Sequence, residues 1–251
     1  MSIVYAIANQ KGGVGKTTTT VNVAACIAAA GYRTLLVDVD PQGNATTGLG
    51  LERTAPGLYD VLGGEAEAVD AVRPTDVEHL SMLVSTPDLA GATMELPRLP
   101  GSERRLREAL APLLADFDYV LLDCPPSLGP LTVNALVAAE RVIVPVQTEY
   151  FALEGLAGLL DTLGLIQREL NPRLTIAGML LTMHDARTKL AQDVEAEVRK
   201  HFPALVFDTV IPRNVRLGEA PSFGKAVIHH DPHCAGSEAY FELAKEVAAR
   251  G

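Results

Sequence analysis

The sequence predicts an α/β fold: a doubly wound, mostly parallel sheet flanked by helices, forming a single domain over residues 1–251. Short aliphatic runs alternate with helical segments along the whole chain, which is the pattern of such sheets. Hydrophobic residues make up 48% of the chain, whereas aromatic residues make up 5% and Trp is absent. The core is therefore expected to be aliphatic, as is usual where helices cover a parallel sheet.

The first predicted unit is a strand, a glycine-rich loop, a helix and a second strand. Residues 3–8 form a short apolar run of the kind found in fully buried strands. Residues 16–30 are predicted to be helical and to stop at Gly31, because glycine is favoured just after a helix end. Residues 34–37 are the second strand. Two such strands are expected to be parallel and joined by a right-handed crossover.

The alternation resumes after a weakly patterned stretch at residues 51–101, which is rich in Gly and Pro. We expect this stretch to be a surface excursion with short helices and one strand at residues 80–84. The later elements are predicted as a helix at 103–114, strands at 119–122 and 142–146, a helix at 153–170, a strand at 176–181, a helix at 190–201, a strand at 205–211 and a helix at 237–249.

Charge and cysteine content limit the classes of protein. The net formal charge of −10 argues against a nucleic-acid partner. The acidity lies mostly in residues 1–179, however, and residues 180–251 are close to neutral, with 9 Lys and Arg against 10 Asp and Glu. Three widely spaced cysteines imply no disulfide framework. The sequence has no signal-peptide pattern and no apolar run of ~20 residues, so we expect a cytoplasmic protein without a membrane partner.

The strongest motif is a glycine-rich loop between the first predicted strand and helix. It consists of Lys11-Gly12-Gly13-Val14-Gly15-Lys16-Thr17, followed by Thr18, and predicts a P-loop that binds ATP and Mg²⁺. In such loops, backbone N–H groups and the positive end of the following helix hold phosphate oxygens. Lys16 is expected to reach the β- and γ-phosphates, and Thr17 to offer its hydroxyl to Mg²⁺. The alternative, a glycine-rich turn with chance lysines, is disfavoured by the flanking strand and helix.

Three aspartates stand at the ends of predicted strands. Asp40 lies beside the phosphate site, where a carboxylate can orient the attacking water. Asp38 lies two residues earlier on the same side of the strand, and either binds Mg²⁺ through water or holds the P-loop. Asp123 ends an apolar strand, the usual place for a carboxylate in the outer shell of Mg²⁺. The alternative for each is a plain turn or helix cap.

Recognition of the base is expected from loops that follow the late strands, on the crevice side of the sheet. Pro212 and Asn214 are the candidate contacts there, and the loop at residues 181–183 is on the same side. Ordinary strand-to-helix loops are the alternative interpretation for both segments.

The glycine-rich loop departs from the standard P-loop, because Gln10 replaces a glycine and Lys11 is an additional lysine. In this it resembles the deviant Walker A motif of the ParA/MinD family of P-loop ATPases. Residues 9–18, 37–44, 122–127, 211–216 and 219–222 also resemble Soj-type chromosome-partitioning proteins of that family. The resemblance implies an ATP-dependent sandwich homodimer, nonspecific binding to duplex DNA, association with the nucleoid, and a ParB-type protein that stimulates hydrolysis.

The resemblance also gives a role to the second lysine. It implies that Lys11 crosses the dimer interface to the partner's nucleotide, as an arginine finger does. A solvated loop lysine is the alternative. For DNA, the candidates among the cations of the last third are Arg187, Arg216 and Lys225, since a few converging cations suffice for nonspecific binding. For each of them, a solvated surface charge is the alternative.

Two other functions are compatible with a P-loop of this kind. A MinD-like regulator that cycles on membranes needs a C-terminal amphipathic helix with a basic polar face. The tail at residues 237–251 instead has three glutamates against two cations. A metabolic P-loop ATPase is the other alternative, although a small-molecule kinase has no evident use for Lys11.

Overall fold

The described strands form one seven-stranded sheet with helices on both faces, which confirms the predicted fold class. The computed structural model describes residues 2–149 and 152–250. The strands are β1 (Ile3–Ile7), β2 (Thr34–Asp38), β3 (Val72–Pro74), β4 (Leu80–Leu83), β5 (Tyr119–Asp123), β6 (Arg141–Gln147) and β7 (Thr175–Thr182). The helices are α1 (Lys16–Ala29), α2 (Asn44–Gly48), α3 (Leu58–Gly63), α4 (Ala68–Ala71), α5 (Leu89–Glu95), α6 (Arg105–Leu110), α7 (Pro130–Ala138), α8 (Ala152–Glu169), α9 (Lys189–His201), α10 (Val215–Glu219), α11 (Val227–His230) and α12 (Ala235–Ala249).

The strand order places the predicted functional loops along one edge of the sheet. The order is β3-β4-β2-β5-β1-β6-β7, and every neighbouring pair is parallel except the antiparallel pair β3 and β4. β5 lies between β1 and β2, so the first strand–helix–strand unit crosses over one strand. Asp123 at the end of β5 is in register with Ile7 on one side and Asp38 on the other. The carboxyl ends of the three central strands therefore meet at one site.

The core lies on both faces of the sheet. On β5, Val120 and Leu122 pack in the layer that includes α6, α7 and α8, while Leu121 packs in the layer that includes α1 and α12. Because both faces are buried, the strands are continuous apolar runs rather than alternating ones, which explains why the sequence identified them. None of the helices in the described part of the chain is long and apolar enough to cross a membrane.

The predicted strand at residues 205–211 is wrong. The segment pairs with β7 through an isolated bridge at Val206. Beyond it, the backbone N–H groups of Asp208 and Thr209 donate to the carboxylate of Glu246 at 2.8 and 3.1 Å. A side chain of α12 thus takes hydrogen bonds that a neighbouring strand would provide, and the segment runs as irregular chain beside the sheet.

Three further differences have local causes. The predicted helix at residues 103–114 is α6 flanked by two single 3₁₀ turns, and Pro112 lies in the second turn, where its missing N–H cannot continue an α-helix. The structure adds α7, which is buried on most sides and so has no amphipathic period. It also adds the edge strand β3, which ends at Pro74, as proline in a sheet is confined to such edges.

We predict that Gly178→Ala destabilises the fold through the irregular segment. A Cβ at Gly178 on β7 would lie 2.5 Å from Cε2 of Phe207, whose ring is fully buried and lies under the guanidinium of Arg250. The ring has no room to move, so overpacking should lower the free energy of unfolding by about 1–3 kcal/mol, measured by urea denaturation. Gly164→Ala in α8 is the control, since the atom nearest to an added Cβ is the end of the exposed Arg168 side chain at 3.4 Å, and alanine favours a helix. Wild-type stability of Gly178→Ala contradicts the prediction.

Candidate nucleotide-binding site

The glycine-rich loop joins β1 directly to the start of α1. Gly13 and Gly15 have φ values of 73° and 87°, in the left-handed region where a side chain is strained. α1 begins at the next residue, Lys16. The hydroxyl of Thr182, at the end of β7, donates to the backbone oxygen of Val14 at 2.9 Å and fixes the loop against the sheet. The N–H groups at the start of α1 are therefore held at the carboxyl edge of the sheet, as an anion site requires.

Lys16 lies inside this loop. Its side chain is buried, and Nζ donates to the backbone oxygen of Lys11 at 3.0 Å. Burial lowers the pKa of the Lys16 ammonium, and the nearby carboxylates of Asp123 and Asp40 oppose that shift. The ammonium is thus stabilised by the loop backbone and by carboxylates, in a position suited to the phosphates of a nucleotide.

Asp123 ends β5 with no exposed surface. Thr20 of α1 donates its hydroxyl to Oδ1 of Asp123 at 2.9 Å, but Oδ2 is buried and has no hydrogen-bond partner among residues 2–149 and 152–250. Burial raises the pKa of the Asp123 carboxyl and the charge of Asp38 raises it further, while the nearby hydroxyls of Thr17 and Thr20 oppose the shift. A buried oxygen without a partner is costly and calls for a donor. A water bound to Mg²⁺ is such a donor, and Thr17, partly exposed in the first turn of α1, is the hydroxyl expected to bind the metal directly.

Asp38, at the end of β2, has both carboxylate oxygens engaged. Oδ2 accepts hydrogen bonds from the backbone N–H of Thr46 at 2.8 Å and from its hydroxyl at 2.7 Å. Oδ1 accepts from the backbone N–H of Asp40 at 3.2 Å. These bonds fix the segment that follows β2 and the start of α2, whereas the sequence had suggested either Mg²⁺ or the P-loop as the partner of Asp38.

Asp40 lies in the loop between β2 and α2 and is 6% exposed. Its Oδ1 accepts the backbone N–H of Gln42 at 2.9 Å, and in the described part of the chain Oδ2 accepts no hydrogen bond. The hydroxyl of Ser85 donates to the backbone oxygen of Asp40 at 2.8 Å. One carboxylate oxygen is thereby left available beside Lys16, as a residue that orients water requires.

Lys11 differs from Lys16 in its surroundings. Its side chain is 35% exposed, and Nζ lies 3.9 Å from Oε2 of Glu149. The guanidinium of Arg213 lies 3.8 Å from the other oxygen of Glu149. The two lysines of the loop are therefore separated, with one ammonium buried at the phosphate site and the other at the surface.

A cavity of about 360 Å³ opens beside the loop, between the ends of β7 and α12. Pro212 and Asn214, predicted as base contacts, both line it, together with Thr18. Asn214 also caps α10, since its Oδ1 accepts the backbone N–H of Arg216 at 2.8 Å. The walls of this cavity are mostly apolar with a few polar groups, as in sites for a planar base.

Tyr240 of α12 also lines this cavity, and sequence reasoning missed it. The Tyr240 hydroxyl lies 3.2 Å from Oγ1 of Thr19 in α1, so the ring is fixed against the helix that begins at the P-loop. No local signal marked this residue, because its place in the site depends on the packing of α12 on α1.

The candidate DNA contacts lie on three separate segments outside this cavity. Arg187 precedes α9 and is paired with Asp185 through two contacts of 2.8 Å. Arg216 on α10 lies between two carboxylates, at 2.7 and 3.2 Å. Lys225, just before α11, is exposed and has no carboxylate within 4.0 Å among the described residues. The two arginines are thus neutralised by surface pairs, which contribute about 0–1 kcal/mol each.

Comparison with known proteins agrees with this geometry. A family model described as an AAA domain, AAA_31, matches residues 2–176. The chain is 54% identical to the sporulation initiation inhibitor protein Soj of Bacillus subtilis over 253 residues, covering 100% of both chains. It is 59% identical to the chromosome-partitioning ATPase Soj of Thermus thermophilus, over 98% of this chain and 95% of that one. A crystal structure described as cobyrinic acid a,c-diamide synthase from Mycobacterium smegmatis, with bound ADP and magnesium, superposes with a TM-score of 0.86 at 40% identity, covering 98% and 93% of the chains.

We predict that Lys16→Ala abolishes ATP binding while the protein remains folded. Hydrogen bonds from a charged group contribute about 1.5–3 kcal/mol each. Loss of the bonds to both the β- and the γ-phosphate should therefore lower the affinity for ATP at least about 100-fold. The measurement is titration with a fluorescent ATP analogue, with circular dichroism to confirm the fold. Lys245→Ala on α12 is the matched control and should bind normally. Normal ATP affinity in folded Lys16→Ala would remove the P-loop assignment.

Proposed function

The chain belongs to the Soj/ParA family of chromosome-partitioning ATPases, and we propose that it segregates DNA by cycling between two nucleotide states. The ATP-bound form is a homodimer that binds duplex DNA of any sequence. The ADP-bound form is a monomer that does not. The observation that carries this proposal is the P-loop with two lysines in different environments, one buried at the phosphate site and one at the surface.

The P-loop and the adjoining cavity bind the nucleotide. The backbone N–H groups of residues 12–18 and the start of α1 bind phosphate oxygens, and Lys16 pairs with the β- and γ-phosphates. Thr17 would hold Mg²⁺ through its hydroxyl, and the free Oδ2 of Asp123 would accept a hydrogen bond from the hydrated ion. Bound Mg²⁺ neutralises charge on the phosphate oxygens. The base occupies the cavity beside Pro212 and Asn214.

Asp40 orients the attacking water. Its position beside the Lys16 ammonium and its free Oδ2 support this role, because a water held between a carboxylate and the γ-phosphate is already placed for attack. Asp38 supports Asp40 by fixing the backbone N–H of that residue.

Lys11 completes the site of a second copy of the chain. Among residues 2–149 and 152–250, the one ion pair of its ammonium is the 3.9 Å contact with Glu149 at the surface. Breaking an exposed pair of that kind costs about 0–1 kcal/mol, so Lys11 is free to extend to a partner's phosphates. Two copies related by a twofold axis would exchange this lysine reciprocally, as an isologous interface requires.

The proposal also includes DNA binding, association with the nucleoid, and stimulation of hydrolysis by a ParB-type protein. Dimerisation doubles the number of cations presented to DNA, and counterion release supplies affinity without base contacts. Family membership supports the ParB-type partner and the association of the ATP-bound form with the nucleoid.

A metabolic ATPase is the competing function, because the mycobacterial structure at 40% identity is described as a synthase. The surface lysine favours partitioning instead. An enzyme that acts as a single subunit has no use for a second loop lysine outside its own phosphate site.

We predict opposite effects of two substitutions on the dimer. Asp40→Ala should bind ATP but hydrolyse it slowly and accumulate as an ATP-bound dimer, because the step that ends the dimer is lost. Lys11→Ala should bind ATP with affinity within about threefold of wild type and remain a monomer, because the interaction lost is made only across the interface. Sedimentation with ATP and phosphate release measure both effects.

Lys245→Ala, which removes an exposed lysine on α12, should dimerise and turn over like wild type. If Asp40→Ala and Lys11→Ala also behave like wild type, the dimer mechanism is wrong. A Lys11→Ala variant that cannot bind ATP would instead place that lysine on its own nucleotide.

We predict that DNA binding depends on ATP and falls steeply with salt. With ATP, random-sequence duplex should bind, and the logarithm of the affinity should fall by about 0.9 per phosphate contact for each tenfold rise in salt. Arg187→Glu, Arg216→Glu and Lys225→Glu should each weaken binding on all sequences alike, without changing ATP hydrolysis in the absence of DNA. Interferometry at several salt concentrations, with ATP, ADP and no nucleotide, measures this.

The control for these reversals is Arg33→Glu, which makes the same charge change at the opposite edge of the sheet, just before β2. It should leave DNA affinity unchanged. Absence of binding in every nucleotide state would favour the metabolic function, and binding that ignores the nucleotide would remove the proposed switch.

A further inference from the structure

A continuous chain of buried hydrogen bonds connects Asp38 to the backbone of Asp40. The Thr46 hydroxyl donates to Oδ2 of Asp38 at 2.7 Å and accepts the backbone N–H of Ser85 at 3.1 Å. The Ser85 hydroxyl in turn donates to the backbone oxygen of Asp40 at 2.8 Å. Thr46 and Ser85 have no exposed surface, so water does not reach these hydroxyls.

We propose that Thr46 and Ser85 are positioning residues for ATP hydrolysis, and that they act by holding Asp40 in place. The Thr46 hydroxyl connects Asp38 of β2 to the backbone of Ser85, in the segment after β4. The Ser85 hydroxyl in turn binds the Asp40 carbonyl. Neither residue is expected to touch the nucleotide. The inference rests on the proposed role of Asp40, and it adds the groups that fix this carboxylate before ATP arrives.

The side chain of Arg53 also binds the backbone around Ser85 and Asp40. Arg53 donates through Nε to the backbone oxygen of Ser85 at 3.1 Å and through Nη2 to that of Pro41 at 2.5 Å. A Cβ at Gly43 would lie 2.1 Å from Nε of Arg53, so the turn after Asp40 packs directly against the arginine. The loop of Asp40 is therefore held by the Ser85 hydroxyl and by Arg53, which also binds the backbone of Ser85.

Loss of one hydroxyl should shift Asp40 rather than unfold the protein. In Ser85→Ala the Asp40 carbonyl keeps the N–H of Gly43 at 2.9 Å but loses its buried donor, so the loop moves towards solvent to recover a partner. Misplacement of a reacting group by about 1 Å is enough to slow a reaction about 100-fold. ATP binding depends on the P-loop and does not require this loop.

The test is the separation of turnover from binding. Ser85→Ala should lower kcat about 10- to 100-fold while the Kd for ATP stays within about threefold of wild type. Thr46→Val should act in the same way, and Thr46→Ser, which keeps the hydroxyl, should restore turnover. If Thr46→Val fails to fold because Asp38 loses a partner, Ser85→Ala and Thr46→Ser still decide the question.

The matched control is Thr34→Val at the other end of β2. Thr34 is equally buried, and its hydroxyl donates to the backbone oxygen of Tyr32 at 2.9 Å. Thr34→Val and Ser85→Ala should lower Tm similarly, by about 2–4 °C, as loss of one hydrogen bond from a buried hydroxyl residue predicts. Only Ser85→Ala should lower kcat. Equal kcat values for the two variants overturn the inference.

A cycle with Asp40→Ala separates this inference from the function on which it rests. In single-turnover hydrolysis, which resolves residual rates, Ser85→Ala should cause little further loss in the Asp40→Ala background. Wild-type turnover of Asp40→Ala would refute the role of Asp40 itself. A slow Asp40→Ala beside a normal Ser85→Ala, or losses that multiply in the double variant, would refute the positioning role alone.

Discussion

Two buried carboxylates lie side by side at the carboxyl edge of the sheet, and the site depends on how their charge is stabilised. Asp38 and Asp123 are in register on neighbouring strands, and neither has exposed surface. Burial raises the pKa of both carboxyl groups. An ionised carboxylate at this depth costs several kcal/mol unless donors or cations compensate it. Thr46 donates two hydrogen bonds to Asp38, whereas Asp123 is stabilised by the Thr20 hydroxyl and the nearby Lys16 ammonium. The same interactions hold α2 and α1 at the edge of the sheet. The phosphate loop and the loop of Asp40 are therefore placed by one electrostatic requirement.

The sequence predicted those parts of the site whose geometry is local. Lys16 begins the helix after the glycine-rich loop, and Asp123 ends an apolar strand. A parallel sheet places both kinds of position at its carboxyl edge, whatever the details of packing. Ser85 and Tyr240 were not predicted, because each enters the site from an element distant in the chain and their flanking residues give no distinct signal. For Asp38 the sequence left two partners open, and the donors that it actually meets, Thr46 and the backbone of Asp40, are set by the turn into α2.

The prediction of the fold also rested on local patterns. It failed where a side chain bound backbone groups that a neighbouring strand would otherwise bind. Central strands are recognisable because both faces are buried, so their middle residues form an unbroken apolar run. Residues 205–211 are also mostly apolar, but Glu246 binds the N–H groups of Asp208 and Thr209 and interrupts the ladder. A contact between segments almost forty residues apart cannot be inferred from the period of either one. Composition therefore identified an apolar segment without determining its hydrogen-bond partners.

The segment that positions Asp40 also touches the segment that carries two of the proposed DNA contacts. Asp38 binds Thr46 within α2, and the chain leaving α2 packs at Gly50 against Gly224, just before Lys225. The approach is close, since a Cβ at Gly224 would lie 2.9 Å from Cα of Gly50. Communication between hydrolysis and DNA release requires an element whose arrangement both sites bias. The α2 segment lies between the two proposed sites, because one end is hydrogen-bonded to Asp38 and the other packs against the chain between Arg216 and Lys225. Since the two glycine backbones meet with no side chain between them, the α2 segment and the chain before Lys225 pack directly against each other.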